Sequence, residues 1–313
     1  MMEQNDTDPN IRYITNSELQ SFKQCRRQWW MSYIRRLDKR KSDGSSKAAA
    51  TGTMVHDALE SYYKDPTFNA SKAIQHVRSA QAADPNADQF EAEYQLADAM
   101  VEGYFEWLEE TGADQGLEIV AVEQRIMAPA PGQDEGVQLL GKLDLIARMH
   151  STLLTLDHKT VQGFDGTVTA LPMNEQSRHY ALIQRHNNPG DPLQGSIWNM
   201  LRKVKRSSRS KPPFYARSEI RWNNDQLDTF KDRLTGEIAE MLRVQAMLED
   251  GANHQVVAYP SPSTDCSWRC PFHAVCPLMD DPRTDSEMLI DVMYEQRDPL
   301  ARYQSEKEED TNG

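Results

Sequence analysis

The stretch from 137 to 160, VQLLGKLDLIARMHSTLLTLDHKT, restricts the fold more than any other part of the chain. Apolar and polar side chains alternate on either side of His150 and Ser151, which reads as two strands joined in a hairpin. If the chain turns at those two residues, opposed positions sum to 301, so Met149 faces Thr152 and Asp144 faces Asp157. One face then carries Leu143, Leu145, Ala147 and Met149 with Leu154 and Leu156, and the other carries Asp144, Asp157 and Lys159. The alternation recommends this register. The turn does not, because His-Ser lacks the Asn-Gly or Asp-Gly chemistry of tight hairpins.

Directly opposed carboxylates stand about 5 Å apart at Cβ and repel unless one is protonated or a cation lies between them. A hard divalent cation such as Mg²⁺ or Mn²⁺ accepts carboxylate, carbonyl and water oxygens and leaves positions for a phosphate oxygen. Lys159, on the same face, could stabilise charge building up on that phosphate. An acid and a lysine spaced by two on a strand also make a plain surface ion pair, and the motif alone leaves both readings open.

The four cysteines are Cys25 and a cluster, Cys266, Cys270 and Cys276, in DCSWRCPFHAVCPL. C-x3-C-x5-C is compact enough to converge on one metal centre, and four thiolates suit tetrahedral zinc or an iron-sulfur cluster. Free buried cysteines are the bland alternative. Should Cys25 join the other three, the centre ties together positions roughly 240 residues apart, and metal binding becomes folding energy.

A net charge of −13 argues against a protein that coats nucleic acid and leaves room for local basic patches. Two exist: RRLDKRK, residues 35–41, and RKVKRSSRSK, residues 202–211. The second carries Lys203, Lys205, Arg206, Arg209 and Lys211 as candidate DNA contacts, against the alternative of a solvated loop. The start, MMEQNDTDPN, lacks a basic segment followed by an apolar one, and no apolar run approaches the ~18 residues of a membrane span, so a cytoplasmic location is expected.

Helices are predicted from Thr15 or Asn16 onward through Cys25, over TGTMVHDALESYY, from Asp88 to Glu110, around NEQSRHYALIQR, and from Asn224 to Leu248. Strands are predicted for LEIVAVEQRIM, the hairpin, GSIWNMLRKV and FYARSEIRW. This order suits a mixed α/β (α+β) core in a helical surround, as one domain over 15–281. Residues 1–14 and the acidic 282–313 are expected to be largely disordered tails.

Taken together, these pieces resemble the RecB-like branch of the PD-(D/E)XK nuclease superfamily, specifically its iron-sulfur members, among them CRISPR-associated exonucleases and AddB-type nuclease domains. The matching segments run in order from Cys25 to Cys276: GTMVHDALE with His56, GKLDLIAR with Asp144, LDHKT with Asp157 and Lys159, QSRHY with Gln176 and Tyr180, and the cysteines. The resemblance implies a central mixed sheet of the restriction-endonuclease-like kind, with an iron-sulfur clamp joining the N- and C-terminal parts. It implies Mg²⁺ or Mn²⁺ held by His56, Asp144, Asp157 and the carbonyl of His158, and a cleft lined by Gln176 and Tyr180. It favours a [4Fe-4S] cluster on Cys25, Cys266, Cys270 and Cys276 over zinc. Glu123, on the strand before the hairpin, could add a carboxylate to the cleft. One departure is the spacing of Cys266 and Cys270, with three residues between them where the family commonly has two. The implied activity is metal-dependent exonuclease action at DNA ends in recombination or repair, alongside a helicase, recombinase or integrase. The alternatives are a non-catalytic DNA-binding or partner subunit that keeps the fold and a zinc-stapled scaffold.

Overall fold

A computed structural model describes residues 8–40, 47–84, 87–207 and 209–304. The chain begins with strand β1 (Arg12–Thr15), helix α1 (Asn16–Gln24), the short helix α2 (Arg26–Trp29) continuing into a π-helical turn (Trp30–Ile34), and β2 (Leu37–Lys39). Helices α3 (Lys47–Lys64), α4 (Ala70–Ala83) and α5 (Glu91–Thr111) precede strands β3 (Leu117–Pro129), β4 (Val137–Met149) and β5 (Thr152–Val161). Helices α6 (Asp165–Ala170) and α7 (Gln176–Asn187), strands β6 (Gly195–Arg202) and β7 (Tyr215–Arg221), and helices α8 (Asn224–Glu249) and α9 (His254–Val257) follow. Helix α10 (Ser286–Met293) and strand β8 (Tyr294–Gln296) come last. Among the described residues no helix is long and apolar enough to cross a membrane.

The chain groups into two compact units: residues 1–41, 127–141 and 228–313, and residues 42–126 and 142–227. Strand β4 runs through both. Its first residues pair with β1 and its last with β5, giving the hydrogen-bonded order β1-β4-β5-β6-β7, with β3 also on β4. Parallel and antiparallel pairs alternate along this order, so the sheet is mixed and the α/β class matches the expectation.

In the first unit, β1 lies parallel to β4 from Arg12 beside Val137 to Thr15 beside Leu140, and β2 pairs antiparallel with β8. Thr15 caps α1 by accepting the Glu18 N–H at 3.2 Å. Glu18, 1% exposed, also accepts from the Arg12 guanidinium and from the Trp29 indole at 3.0 Å, so its buried charge is fully partnered. The predicted first helix breaks where the sequence suggested continuity: Cys25 is extended, with φ −161° and ψ 113°, and separates α1 from α2. Within the stretches expected as tails, Arg12–Thr15 is a paired strand and residues 286–296 form α10 and β8. Ile290 and Tyr294 are buried with Met31, Leu37, Phe272, Val275 and Met279, and Tyr303 with Tyr13 and Leu140. Residues 1–7 and 305–313 lie outside the described residues.

In the second unit, the hairpin has the expected register, from Leu145 opposite Leu156 to Met149 opposite Thr152. Leu145, Leu154 and Leu156 join Ile197 and Leu201 in a core capped by Val55, Ala58 and Leu59 of α3 and Met100, Val101 and Tyr104 of α5. The opposite face is also covered: Leu171, Trp198 and Met200 pack together, with Val161 and Phe164 against them. Helix α4, absent from the sequence reading, packs Ala73 and Val77 into the first of these cores.

The hairpin turn achieves its geometry with side chains poorly suited to it. His150 and Ser151 have φ 49° and 70°, the pair of left-handed residues that a primed turn demands. Such a conformation costs a non-glycine residue about 1–2 kcal/mol. Ser151→Gly is therefore expected to stabilise the protein by about 1 kcal/mol in urea denaturation, and an unchanged or lower midpoint would contradict this turn.

Candidate active site

Strand β4 carries Asp144, and β5 carries Asp157, His158 and Lys159; beyond the Leu145–Leu156 rung, the hairpin register opposes the two acids. The main-chain N–H of His158 donates to Asp144 Oδ2 at 2.8 Å, and His56 of α3 places Nδ1 3.5 Å from the same oxygen. Asp157 Oδ2 lies 2.5 Å from Lys159 Nζ. Gln176, the first residue of α7, takes the Lys159 ammonium on Oε1 at 3.1 Å, and its amide nitrogen donates to Tyr180 Oη at 3.0 Å and to Asp157 Oδ1 at 3.4 Å. The sequence-predicted set is therefore gathered in two linked groups, His56 with Asp144 and Asp157 with Lys159, Gln176 and Tyr180. The main chain of residue 158 joins them.

Burial and then the Asp157 charge push the Asp144 carboxyl up to about 8. Burial lowers the pKa of His56, and that of His158 well below its usual value, so both imidazoles are neutral. The charge on Glu123 reaches Asp144 and His56, but its carboxylate is held 2.7 Å from Lys142 Nζ. Two carboxylates, a neutral imidazole and a backbone carbonyl are the donor chemistry that Mg²⁺ or Mn²⁺ accepts. The repelled Asp144 is an acid that a cation would relieve. With Asp157 turned onto Lys159, no three such side chains among the described residues converge on one ion position.

The four cysteines, all in the first unit, line one cavity of about 410 Å³ together with Arg27, Arg269 and His273. The break at Cys25 leaves its Sγ accepting the Ser261 N–H at 3.4 Å; Cys266 Sγ accepts the Ser263 N–H at 3.4 Å. Arg27, 1% exposed, contacts Cys276 at its carbonyl (3.0 Å) and Sγ (3.7 Å) and forks onto Asp280 at 2.8 and 3.1 Å. Burial raises the Cys270 and Cys276 thiols, and the neighbouring thiols add to the shift at Cys270. N–H donors aimed at sulfur and thiols spread around a cavity fit a cluster held by thiolates.

The basic loop is tied to α5. Arg206 pairs with Glu106 at 2.6 Å and Lys205 donates to Gln95 at 2.8 Å, whereas Arg209 and Lys211 are exposed and Lys203 is half-buried. The sequence reading missed Asn199 and Arg217, which hydrogen-bond beside His158. The available signal was an asparagine between Trp198 and Met200 in the otherwise apolar run 197–201.

A raised Asp144 means that the folded, ion-free protein keeps a proton that the unfolded chain releases above its ordinary carboxylate range. Stability from this group is present at low pH and falls as pH rises toward 8. In chelator, urea unfolding at pH 5, 6.5 and 8 is expected to show that decline, and Asp144→Asn is expected to flatten it. Identical slopes in both proteins would refute the assignment.

A candidate exonuclease from Eubacterium rectale has a solved structure similar to this chain, with 14% identity and a TM-score of 0.46 over 78% of this chain and 85% of that one. SSO0001 is similar at 13% identity and a TM-score of 0.36, over 88% of this chain and 90% of that one. No curated protein matches the chain. The sequence model of the PD-(D/E)XK nuclease superfamily matches residues 13–277, most of the chain, and the protein belongs to that superfamily.

Proposed function

We propose that the protein is a Mg²⁺- or Mn²⁺-dependent exonuclease that hydrolyses phosphodiester bonds at DNA ends. The observation that carries this reading is Asp144 and Asp157, one step beyond the last paired rung of the hairpin, with Lys159 held between Asp157 and Gln176. His56, Asp144, Asp157 and the His158 carbonyl would hold the ion, which when bound offsets negative charge building up on the phosphate. Lys159 Nζ, held by an ion pair with Asp157 and a hydrogen bond to Gln176, then stabilises charge on a phosphate oxygen. Gln176 couples that ammonium to Tyr180, and both would line the cleft on the side of α7. Arg209 and Lys211, with Lys203, Lys205 and Arg206 behind them, would track the DNA backbone. The substrate is single-stranded or end-bearing duplex DNA, and recombination or repair in the cytoplasm, with a helicase, recombinase or integrase, is the setting this activity suits.

Cys25, Cys266, Cys270 and Cys276 would hold a [4Fe-4S] cluster that clamps segments distant in sequence and shapes the surface around them. Supporting this is the cavity of about 410 Å³ that all four line.

Digestion of linear and covalently closed circular DNA by anaerobically purified protein tests the activity. Loss of the linear form alone, abolished by chelator and by Lys159→Ala, is expected; folded protein that cleaves neither form would turn the assignment to a non-catalytic binding subunit. Cys270→Ala is expected to lose brown colour and iron and to lower the melting temperature. About one zinc per chain in the colourless wild type would replace the cluster with a zinc staple.

A further inference from the structure

Strands β5, β6 and β7 place His158 beside Asn199 and Asn199 beside Arg217. The three form a row of polar side chains across the face that also carries Leu154, Leu156, Ile197 and Leu201, where an unsatisfied polar group is costly. Asn199 is fully buried and His158 is 2% exposed. Arg217 is anchored on every side: its guanidinium donates to Ala113 O at 2.7 Å, to the hydroxyls of Tyr63 and Tyr104 at 3.1 and 2.8 Å, and to Asp114 at 2.6 Å. Its Nε N–H donates to Asn199 Oδ1 at 3.0 Å.

That last bond decides the rest of the row. With Oδ1 taken by Arg217, the Asn199 amide must present its NH₂ to His158 Nδ1, 2.9 Å away, so Nδ1 accepts and the imidazole proton sits on Nε2. Tyr63 stacks on the same ring, with centroids 5.6 Å apart. The imidazole is thereby fixed in place, orientation and tautomer. It belongs to the residue between Asp157 and Lys159 whose main-chain N–H holds Asp144.

We propose that Asn199 and Arg217 are positioning residues for the run Asp157–Lys159, acting through the His158 imidazole on the main chain that aligns both carboxylates. This rests on the nuclease reading above. A purely structural row would contribute stability without bearing on turnover.

Asn199→Asp separates the two. It keeps an acceptor for Arg217 but offers His158 an acceptor in place of a donor, so the imidazole must carry a proton on Nδ1. In ion-free protein with ¹⁵N-labelled histidine, NMR is expected to show His158 gaining an Nδ1 proton while the melting temperature stays close to wild type. Metal-dependent cleavage is expected to fall about 10–100-fold, in kcat rather than in KM for DNA. Arg217→Lys should fall in the same direction, and the double variant should lose less than the product of the single losses, since both act through one imidazole. A protonated Nδ1 with unchanged kcat, or no change at Nδ1, overturns the proposal while leaving the nuclease reading intact. Folded wild-type protein without cleavage overturns that reading and this proposal with it.

Discussion

Two like charges facing each other across a hairpin set the terms for the second unit. At about 5 Å and an effective dielectric constant near 20, their repulsion is roughly 3 kcal/mol. Relieving it by slipping β4 against β5 by one residue would turn Leu145, Leu154 and Leu156 out of their core, at roughly 1.5–3 kcal/mol each. Burial wins, so the acids stay opposed and the strain is met locally. Asp144 draws the His158 N–H and holds its proton more tightly, and Asp157 closes on Lys159. Hydrophobic patterning thus enforces an arrangement of charge that would not persist by itself.

The same economy governs the other buried ions. Arg27 spends its donors on Asp280 and on the Cys276 carbonyl, Glu18 draws Arg12 and Trp29, and Arg217 binds five acceptors. Each ion has several partners, because removing one partner from a buried pair leaves a charge worth about 3–5 kcal/mol of instability. Each also sits beside a group with chemistry of its own: Arg27 beside a thiol, Arg217 two bonds from the residue between Asp157 and Lys159. Rigidity is concentrated where side chains must be aimed.

The hairpin was legible in the sequence because leucine alternation specifies register, and the opposed aspartates followed from it. His56, Gln176 and Tyr180 carry no such local signal. They became visible only through resemblance, and the structure then brings His56 and Gln176 within reach of the acids and Tyr180 onto Gln176. The turn itself was unreadable, since His150 and Ser151 adopt left-handed conformations that the strands impose. The helix break at Cys25 was hidden for a related reason: the flanking segments are helical by pattern, and the contacts at the break, between Cys25 and Ser261 and between Arg27 and Tyr259, come from far along the chain. Asn199 and Arg217 were passed over because strand patterns are read for their apolar positions, whereas this row places polar groups at inward ones. Strand β1, helix α10 and strand β8 pack against distant residues such as Leu140 and Phe272, which propensity cannot register.

The first unit is assembled from residues near the start of the chain, a middle segment and residues from 228 onward. Strand β2 waits for β8, and Cys25 for the thiols beyond residue 265. During synthesis, at about 5–20 residues per second, the leading segment leaves the ribosome many seconds before those partners exist. The second unit, whose residues all lie between 42 and 227, has its full sequence first. Its contacts are also the more local, so it is the part able to fold while translation continues. Until then Met31 lacks the Phe272 and Val275 it packs against and Cys25 lacks the other thiols, and the interval in which a nascent chain must be shielded from aggregation and oxidation is written into the order of its segments.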